Sequence, residues 1–391
     1  MSRKNEDARG RIRAHLGISL IALLTSIGCA TEDPPPIDEP LEGPHVFISG
    51  GGDGLVHVFD EATLEEVAQI DVGAGAGEVH ATPDGRLVWA LAAGAAQVTL
   101  IDAATLEARV VPVGARPVHS YLEPGGARIW VGNDGSGDVS IIELATGHET
   151  RVLTGNGHHK AAFVTDAEGA LAFVYVSNIS DGTLSVIDPE GALVENVSVG
   201  PSPHGITFSP HTRRVYNCSG DEENSIEVLD PWADDPHSVV ARIPLPGRCG
   251  WIHADHHGGH AWAGLASAGL LARVDLEAGT AETWEAGPGP DKCAIVGERA
   301  FVANVTEPTV TVIDLESGAR RTIAIGHAHI ENGRGHRGIR HHRGRVYVPN
   351  AHDGTVSVID AESEAVIATL EGIEGASGIA LAGGGEGTPP E

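Results

Sequence analysis

A short run of β-branched and small polar residues in alternation recurs along most of the chain. It reads LVHVFD (55–60), QVTLID (97–102), DVSIIE (138–143), TLSVID (183–188), SIEVLD (225–230), LLARVD (270–275), TVTVID (309–314) and TVSVID (355–360). The eight copies lie 39 to 46 residues apart. Val, Ile and Leu alternating with Ser and Thr suits a strand packed on both faces. Each copy follows another short β run that ends in a polar turn, as in FVYVSN (173–178) or RVYVPN (345–350). Each precedes a run such as EAVIATL (364–370), then a Gly/Pro-rich crossing and a fourth strand such as HGITFSP (204–210). Four strands per unit, at a period of about 43 residues, predicts the blades of an all-β propeller.

The pattern carries a resemblance. VYVPNAHDGTVSVIDAESEAVIATL (346–370) and FVYVSNISDGTLSVID (173–188) resemble the YVTN-type, WD40-like β-propeller repeat, which is also similar to surface-layer and quinoprotein-like propellers. The resemblance covers residues 45–383; the eight units counted here predict a single eight-bladed β-propeller of four-stranded blades, with seven blades, frequent in families with this repeat, as the alternative. It implies fold and leaves function open, because propellers carry many chemistries. It also implies that each unit starts at the innermost strand, whereas this chain enters at a second strand (45–49) and finishes on an innermost-type strand, SGIALAG (377–383). The last strand is therefore expected to complete the first blade, which protects the sheet edge. Residues 384–391 are expected to form a disordered tail.

Each recurring strand closes on an acid: Asp60, Asp102, Glu143, Asp188, Asp230, Asp275, Asp314 and Asp360. A carboxylate at a chain reversal bonds turn amides, so these residues read as structural and not catalytic.

The N-terminus predicts an address. Arg3, Lys4, Arg9, Arg11 and Arg13 precede the apolar run LGISLIALLTSIG (16–28), which is short for a membrane span and suits a signal-peptide core. Ile27 and Gly28 before Cys29 resemble a bacterial lipoprotein processing site, although Ser26 stands where Leu is usual. The resemblance implies a signal segment 1–28, lipidation of Cys29 and a Pro-rich acidic tether at 29–44. It places the domain in the cell envelope, lipid-anchored at the periplasmic or outer-membrane side, with ordinary secretion as the alternative. The membrane is then met through the lipid only.

Charge narrows the partners. The chain carries 25 Lys/Arg against 54 Asp/Glu, a formal net charge of −29. Such a surface repels nucleic acid and anionic membrane and attracts cations or basic proteins. A monomer is expected. There is no CxxCH, HExxH, Walker loop or GxSxG elbow, and Met1 is the only methionine. SGGGDG (49–54) joins strand to strand without a following helix, so it reads as a turn.

Histidine is the remaining candidate chemistry. The stretch GHAHIENGRGHRGIRHHRG (326–344) holds five of them, but strand order sends His327, His329 and His336 to the face where crossings enter innermost strands, here called the top. His341 and His342 go to the opposite face. By the same rule His119, His158, His159 and His204 fall at the starts of innermost strands and converge on the axis, and His352 joins them on the top face. His211, His256 and His257 go to the bottom, whereas His80 and His253 lie within innermost strands. Imidazoles from rigid strand ends suit a transition metal, Zn or Cu, with His119, His159, His204, His336, His327 and His329 as candidate ligands. Bonding of loop carbonyls or channel water is the competing role. Of the cysteines after Cys29, Cys218, Cys249 and Cys293, the last two sit at neighbouring innermost strands and are the expected disulfide; a mixed Cys/His metal site is the alternative.

Two function classes follow. One is a non-enzymatic binding protein that takes a metal ion or a protein partner at the channel mouth; the His-rich crossings are similar to those of periplasmic zinc-metallochaperone propellers. The other is an enzyme at the same mouth, metal-dependent, lactonase-like or quinoprotein-like, with a histidine or Glu331 as base. A protein-interaction scaffold without metal is the third possibility.

Overall fold

A computed structural model of the protein describes Ile12–Arg13 and residues 40–157, 159–219, 224–255, 258–326 and 338–383. Apart from Ile12–Arg13, the expected signal segment, Cys29, the tether up to residue 39 and the 384–391 tail lie outside the described residues.

The described residues form eight antiparallel sheets and no helix. Seven blades are each built from four consecutive strands. Blade 2, for example, runs outward through Ala76–Ala81, Leu87–Ala92, Gln97–Asp102 and Ala108–Pro112. Blade 1 is composite. Its innermost strand is the C-terminal Ala376–Gly383, which pairs with Pro44–Gly50 in the register Pro44↔Gly383, Val46↔Leu381 and Ile48↔Ile379. The eight blades and the closure by the last strand therefore stand as the repeat pattern implied. At the rim of blade 1, Ile12–Arg13 pairs with the outer strand Glu66–Asp71.

The apolar core is divided into eight clusters, one between each pair of neighbouring blades. Alternation explains this: in Thr355–Asp360 the four central residues are all buried, so both faces of the strand meet a neighbour. The ring is sealed by Val46 and Ile48 of blade 1 against Tyr347 and Val356 of blade 8. Burial on this scale drives closure, because each cluster exists only when two blades are side by side.

Two polar devices recur within the blades. The strand-ending acids accept hydrogen bonds from turn amides, such as Thr63 to Asp60 at 2.7 Å, Thr105 to Asp102 at 2.8 Å and Ser363 to Asp360 at 2.8 Å. A buried asparagine ends several second strands and donates its amide to hydroxyls of the third strand. Asn304 reaches Thr309 at 2.9 Å and Thr311 at 2.8 Å, and Asn350 reaches Thr355 at 3.1 Å and Ser357 at 3.0 Å.

The expected Cys249–Cys293 pairing is corrected. Cys249 is bonded to Cys218, with Cα atoms 5.4 Å apart, which ties the second strand of blade 5 to the innermost strand of blade 6. The side chains decide the matter. Cys218 and Cys249 share the apolar cluster between blades 5 and 6, whereas Cys293 is buried in the next cluster with Trp251 and Trp284.

Candidate functional site

The innermost strands surround a central channel that contains two adjoining cavities, of about 230 and 190 Å³. Glu78, His80, His119 and Lys292 line both. The larger is completed by Lys160, His253 and a row of aromatic side chains, Tyr121, Phe163, Phe208 and Trp251. The smaller reaches Arg340 and Ser377.

Strand periodicity places these groups. Glu78 and His80 are two residues apart on Ala76–Ala81 and face the same way. His119 lies on the neighbouring innermost strand, Pro117–Leu122. The Glu78 carboxylate bridges the two rings: Oε1 accepts from Nδ1 of His119 at 2.6 Å, and Oε2 from Nε2 of His80 at 3.0 Å. The backbone N–H of Ser120 donates to the same Oε2 at 3.1 Å. Burial alone raises the Glu78 pKa. The charge and hydrogen bond of His119, followed by those of His80, outweigh it and hold the carboxyl well below the usual range. His80 is 7% exposed, and its Nδ1 is buried without a hydrogen-bond partner among the described residues.

The expected metal ligands separate into three groups. His119 is in the channel wall. His204 precedes the innermost strand of blade 5, and its Nδ1 donates to the carbonyl of Gly250 on blade 6. In both residues Nδ1 faces an oxygen that can only accept, so Nδ1 carries a proton. His159 is different. Its ring is 1% exposed, with Nε2 donating to the carbonyl of Gly155 at 2.8 Å and its Cβ packed where any side chain on Gly132 would sit. It therefore fills an inter-blade space outside the channel. His336, His327 and His329, together with His158, His256, His257 and Glu331, lie outside the described residues. Among the described residues no group of three or more His, Cys, Asp or Glu side chains is close enough to hold a metal ion.

Sequence reasoning placed His80 and His253 within innermost strands but drew no site from them; it passed over Glu78, Lys160 and Lys292, and it assigned Arg340 to the bottom turn beside His341 and His342, whereas Arg340 lines the smaller cavity. A compositional signal was present for the lysines. The chain has three, Lys4, Lys160 and Lys292, and two of these line the channel.

No protein-family model matches the chain, and no curated protein matches it. Solved structures do. The fold is similar to that of AztD from Citrobacter koseri, at 15% identity and a TM-score of 0.67, covering 89% of this chain and 99% of that one. It is also similar to the dihydro-heme d1 dehydrogenase NirN in complex with DHE, at 19% identity and a TM-score of 0.65, covering 86% of this chain and 74% of that one. Virginiamycin B lyase from Staphylococcus aureus matches at 11% identity and a TM-score of 0.55, covering 70% of this chain and 91% of that one. At such identities the likeness speaks for fold alone. By its repeats, its sheet order and these neighbours, the chain is an eight-bladed β-propeller, and Glu78, His80 and His119 form a bonded polar group in its central channel.

Proposed function

We propose that this protein is a non-enzymatic, extracytoplasmic binding propeller that carries a transition-metal ion at the top of its channel. His119 and His204 serve as ligands, together with histidines of the 327–336 crossing. One observation carries the reading: Glu78 holds Nδ1 of His119, and the Gly250 carbonyl holds Nδ1 of His204. Metal-ligating histidines are oriented in this way, with one ring nitrogen bonded to a carboxylate or carbonyl that fixes the tautomer and the ring plane. Two rigid imidazoles make an incomplete shell for zinc, which takes four donors, so the crossing that contains His327, His329 and His336 supplies the remainder. His159 is left out because its ring is buried between blades, packed beside Gly132. Resemblance to periplasmic zinc-metallochaperone propellers favours Zn over Cu. The lipoprotein-like segment ending at Cys29 supports an envelope location with a lipid anchor.

The test is elemental analysis of untagged protein purified without chelators. About one equivalent of zinc or copper, lost in a His119→Ala, His204→Ala double variant that still melts as a folded protein, is the expected result. Substoichiometric metal that is unchanged by the substitutions would refute the reading and favour a protein-interaction scaffold.

A further inference from the structure

The bottom face holds a concave pocket of about 550 Å³ between blades 2 and 3. Two of its walls are turns that join the innermost strand of a blade to its second strand. In Thr82-Pro83-Asp84-Gly85 the amide of Gly85 donates to the Thr82 carbonyl at 2.8 Å, and in Glu123-Pro124-Gly125-Gly126 that of Gly126 donates to the Glu123 carbonyl at 2.9 Å. Proline fixes φ at the second position of each turn, so both walls are stiff. The place of Asp84 in the first turn is taken by Gly125 in the second, where φ is 94° and an added Cβ would meet nothing within 4 Å. The pocket is therefore open on that side. Leu122 and Phe163 supply an apolar floor, the latter from the innermost strand of blade 4.

Asp84 and Glu123 are the charged side chains among the described residues of the lining. Each has one oxygen committed to the fold and one that is not. Glu123 is 7% exposed. Its Oε2 accepts from Nε of Arg128 at 2.8 Å and from the Trp130 indole at 3.2 Å, with Nη2 of Arg128 also at 2.8 Å, whereas no donor among the described residues reaches Oε1. On so buried a side chain, an oxygen without a donor is an acceptor that a ligand can satisfy. Oδ1 of Asp84 accepts from the Thr82 hydroxyl at 2.6 Å and the Arg86 amide at 3.1 Å. Oδ2 has the Arg86 guanidinium at 3.8 Å, beyond hydrogen-bond reach, on a side chain that is 83% exposed. The Thr82 hydrogen bond, helped by the Arg86 amide, holds the Asp84 carboxyl below the usual carboxylate range, so it is charged at neutral pH.

We infer that this pocket binds a small aliphatic diamine in its protonated form, with one ammonium group on Oδ2 of Asp84, the other on Oε1 of Glu123, and the methylene chain against Leu122 and Phe163. Acceptors on two walls call for donors at two ends, and the floor between them calls for hydrocarbon. Glu123 then bridges the Arg128 guanidinium and the ligand, each on its own oxygen. A net charge of −29 draws cations to the surface. The volume, about 550 Å³, falls within the range of small-molecule sites, ~300–1,000 Å³. The inference goes beyond the metal reading and uses none of its histidines.

The test is calorimetric titration of the full chain, stripped of metal and dialysed free of chelator, with cadaverine, ammonium and calcium as probes. Cadaverine is expected to saturate one site with a Kd below about 1 mM. Its Kd is expected to rise with ionic strength. Asp84→Asn, at an exposed turn, and Glu123→Gln, which still accepts from Arg128, are each expected to weaken binding about fivefold or more. Should Glu123→Gln melt early, Asp84→Asn decides alone. Asp314→Asn, at the bottom turn of distant blade 7, is expected to leave the Kd unchanged. Absence of saturable cadaverine binding would overturn the inference. So would equal weakening by Asp314→Asn, which marks diffuse attraction to an acidic surface. Ammonium or calcium binding as tightly as cadaverine would overturn the organic part of it. Because no metal is present in the titration, failure of the metal reading leaves this result unaffected, and the reverse also holds.

Discussion

Gly287→Ala tests how the blades are locked to their crossings. A Cβ on Gly287 would lie 2.2 Å from Nδ2 and 2.4 Å from Cγ of Asn304, separations that no side chain tolerates. Gly287 does not need a left-handed backbone, so the cost is one of space. Asn304 is fully buried and donates to Thr309 and Thr311. Either it withdraws and loses two bonds worth about 0.5–1.5 kcal/mol each, or the crossing moves and strains its packing by about 1–3 kcal/mol. On either route the expected destabilisation is about 1–3 kcal/mol. With an unfolding entropy of roughly 0.7 kcal/mol/K for a domain of about 340 residues, Tm should fall by about 1.5–4 °C. Calorimetry or circular-dichroism melting reads it directly. Gly259→Ala is the control: an added Cβ there meets nothing within 4 Å and its φ is not left-handed, so Tm should hold or rise slightly. A Gly287→Ala variant melting within about 1 °C of the parent would refute the steric argument. The same lock recurs where Gly155 abuts Asn178 and Gly326 abuts Asn350, which extends the prediction to those crossings.

Deleting residues 372–391 removes the innermost strand of blade 1 and exposes Val46 and Ile48, so cooperative unfolding should be lost; an unchanged melting curve would sink the closure. A Cys218→Ala, Cys249→Ala double variant removes a cross-link spanning 31 residues and should cost about 3–4 kcal/mol in urea unfolding, whereas Cys293→Ala should leave the cross-link intact by thiol counting. His57 is bonded to Glu66 at 2.7 Å and Asp53 at 3.0 Å. Burial lowers its pKa, but the two carboxylates outweigh burial and raise it above 6.5. Its stabilising contribution is therefore complete below about pH 6.5 and is lost as pH rises through the folded-state pKa. His57→Gln should abolish that part of the decline, as read from urea midpoints across the pH range. Cys29→Ser should prevent incorporation of labelled fatty acid and release the protein from membranes; unchanged labelling would exclude lipidation at that residue.

The repeat was legible because it is local. Each TVSVID-like strand, its preceding YVPN-like strand and its closing acid lie within about 43 residues, so alternation and turn chemistry specify the blade one unit at a time. Closure was legible for the same reason: the chain begins one strand late and ends one strand over. What lines the channel was only half legible. Period-two alternation tells that Glu78 and His80 share a face, but not that the face is the channel, nor that His119 meets them. His159 and His204 carry similar sequence signatures, Gly-rich crossings before innermost strands. Tertiary packing turned one ring between blades and fixed the other across two. The disulfide was misread because adjacency of strands does not fix which inter-blade cluster a side chain enters. Lys160, Lys292 and Arg340 are scattered over 180 positions of an acidic chain, and only closing the ring brings them to two adjoining cavities of the channel. Strand identity follows from near neighbours in sequence, whereas the charge of a channel is a sum over all the blades that surround it.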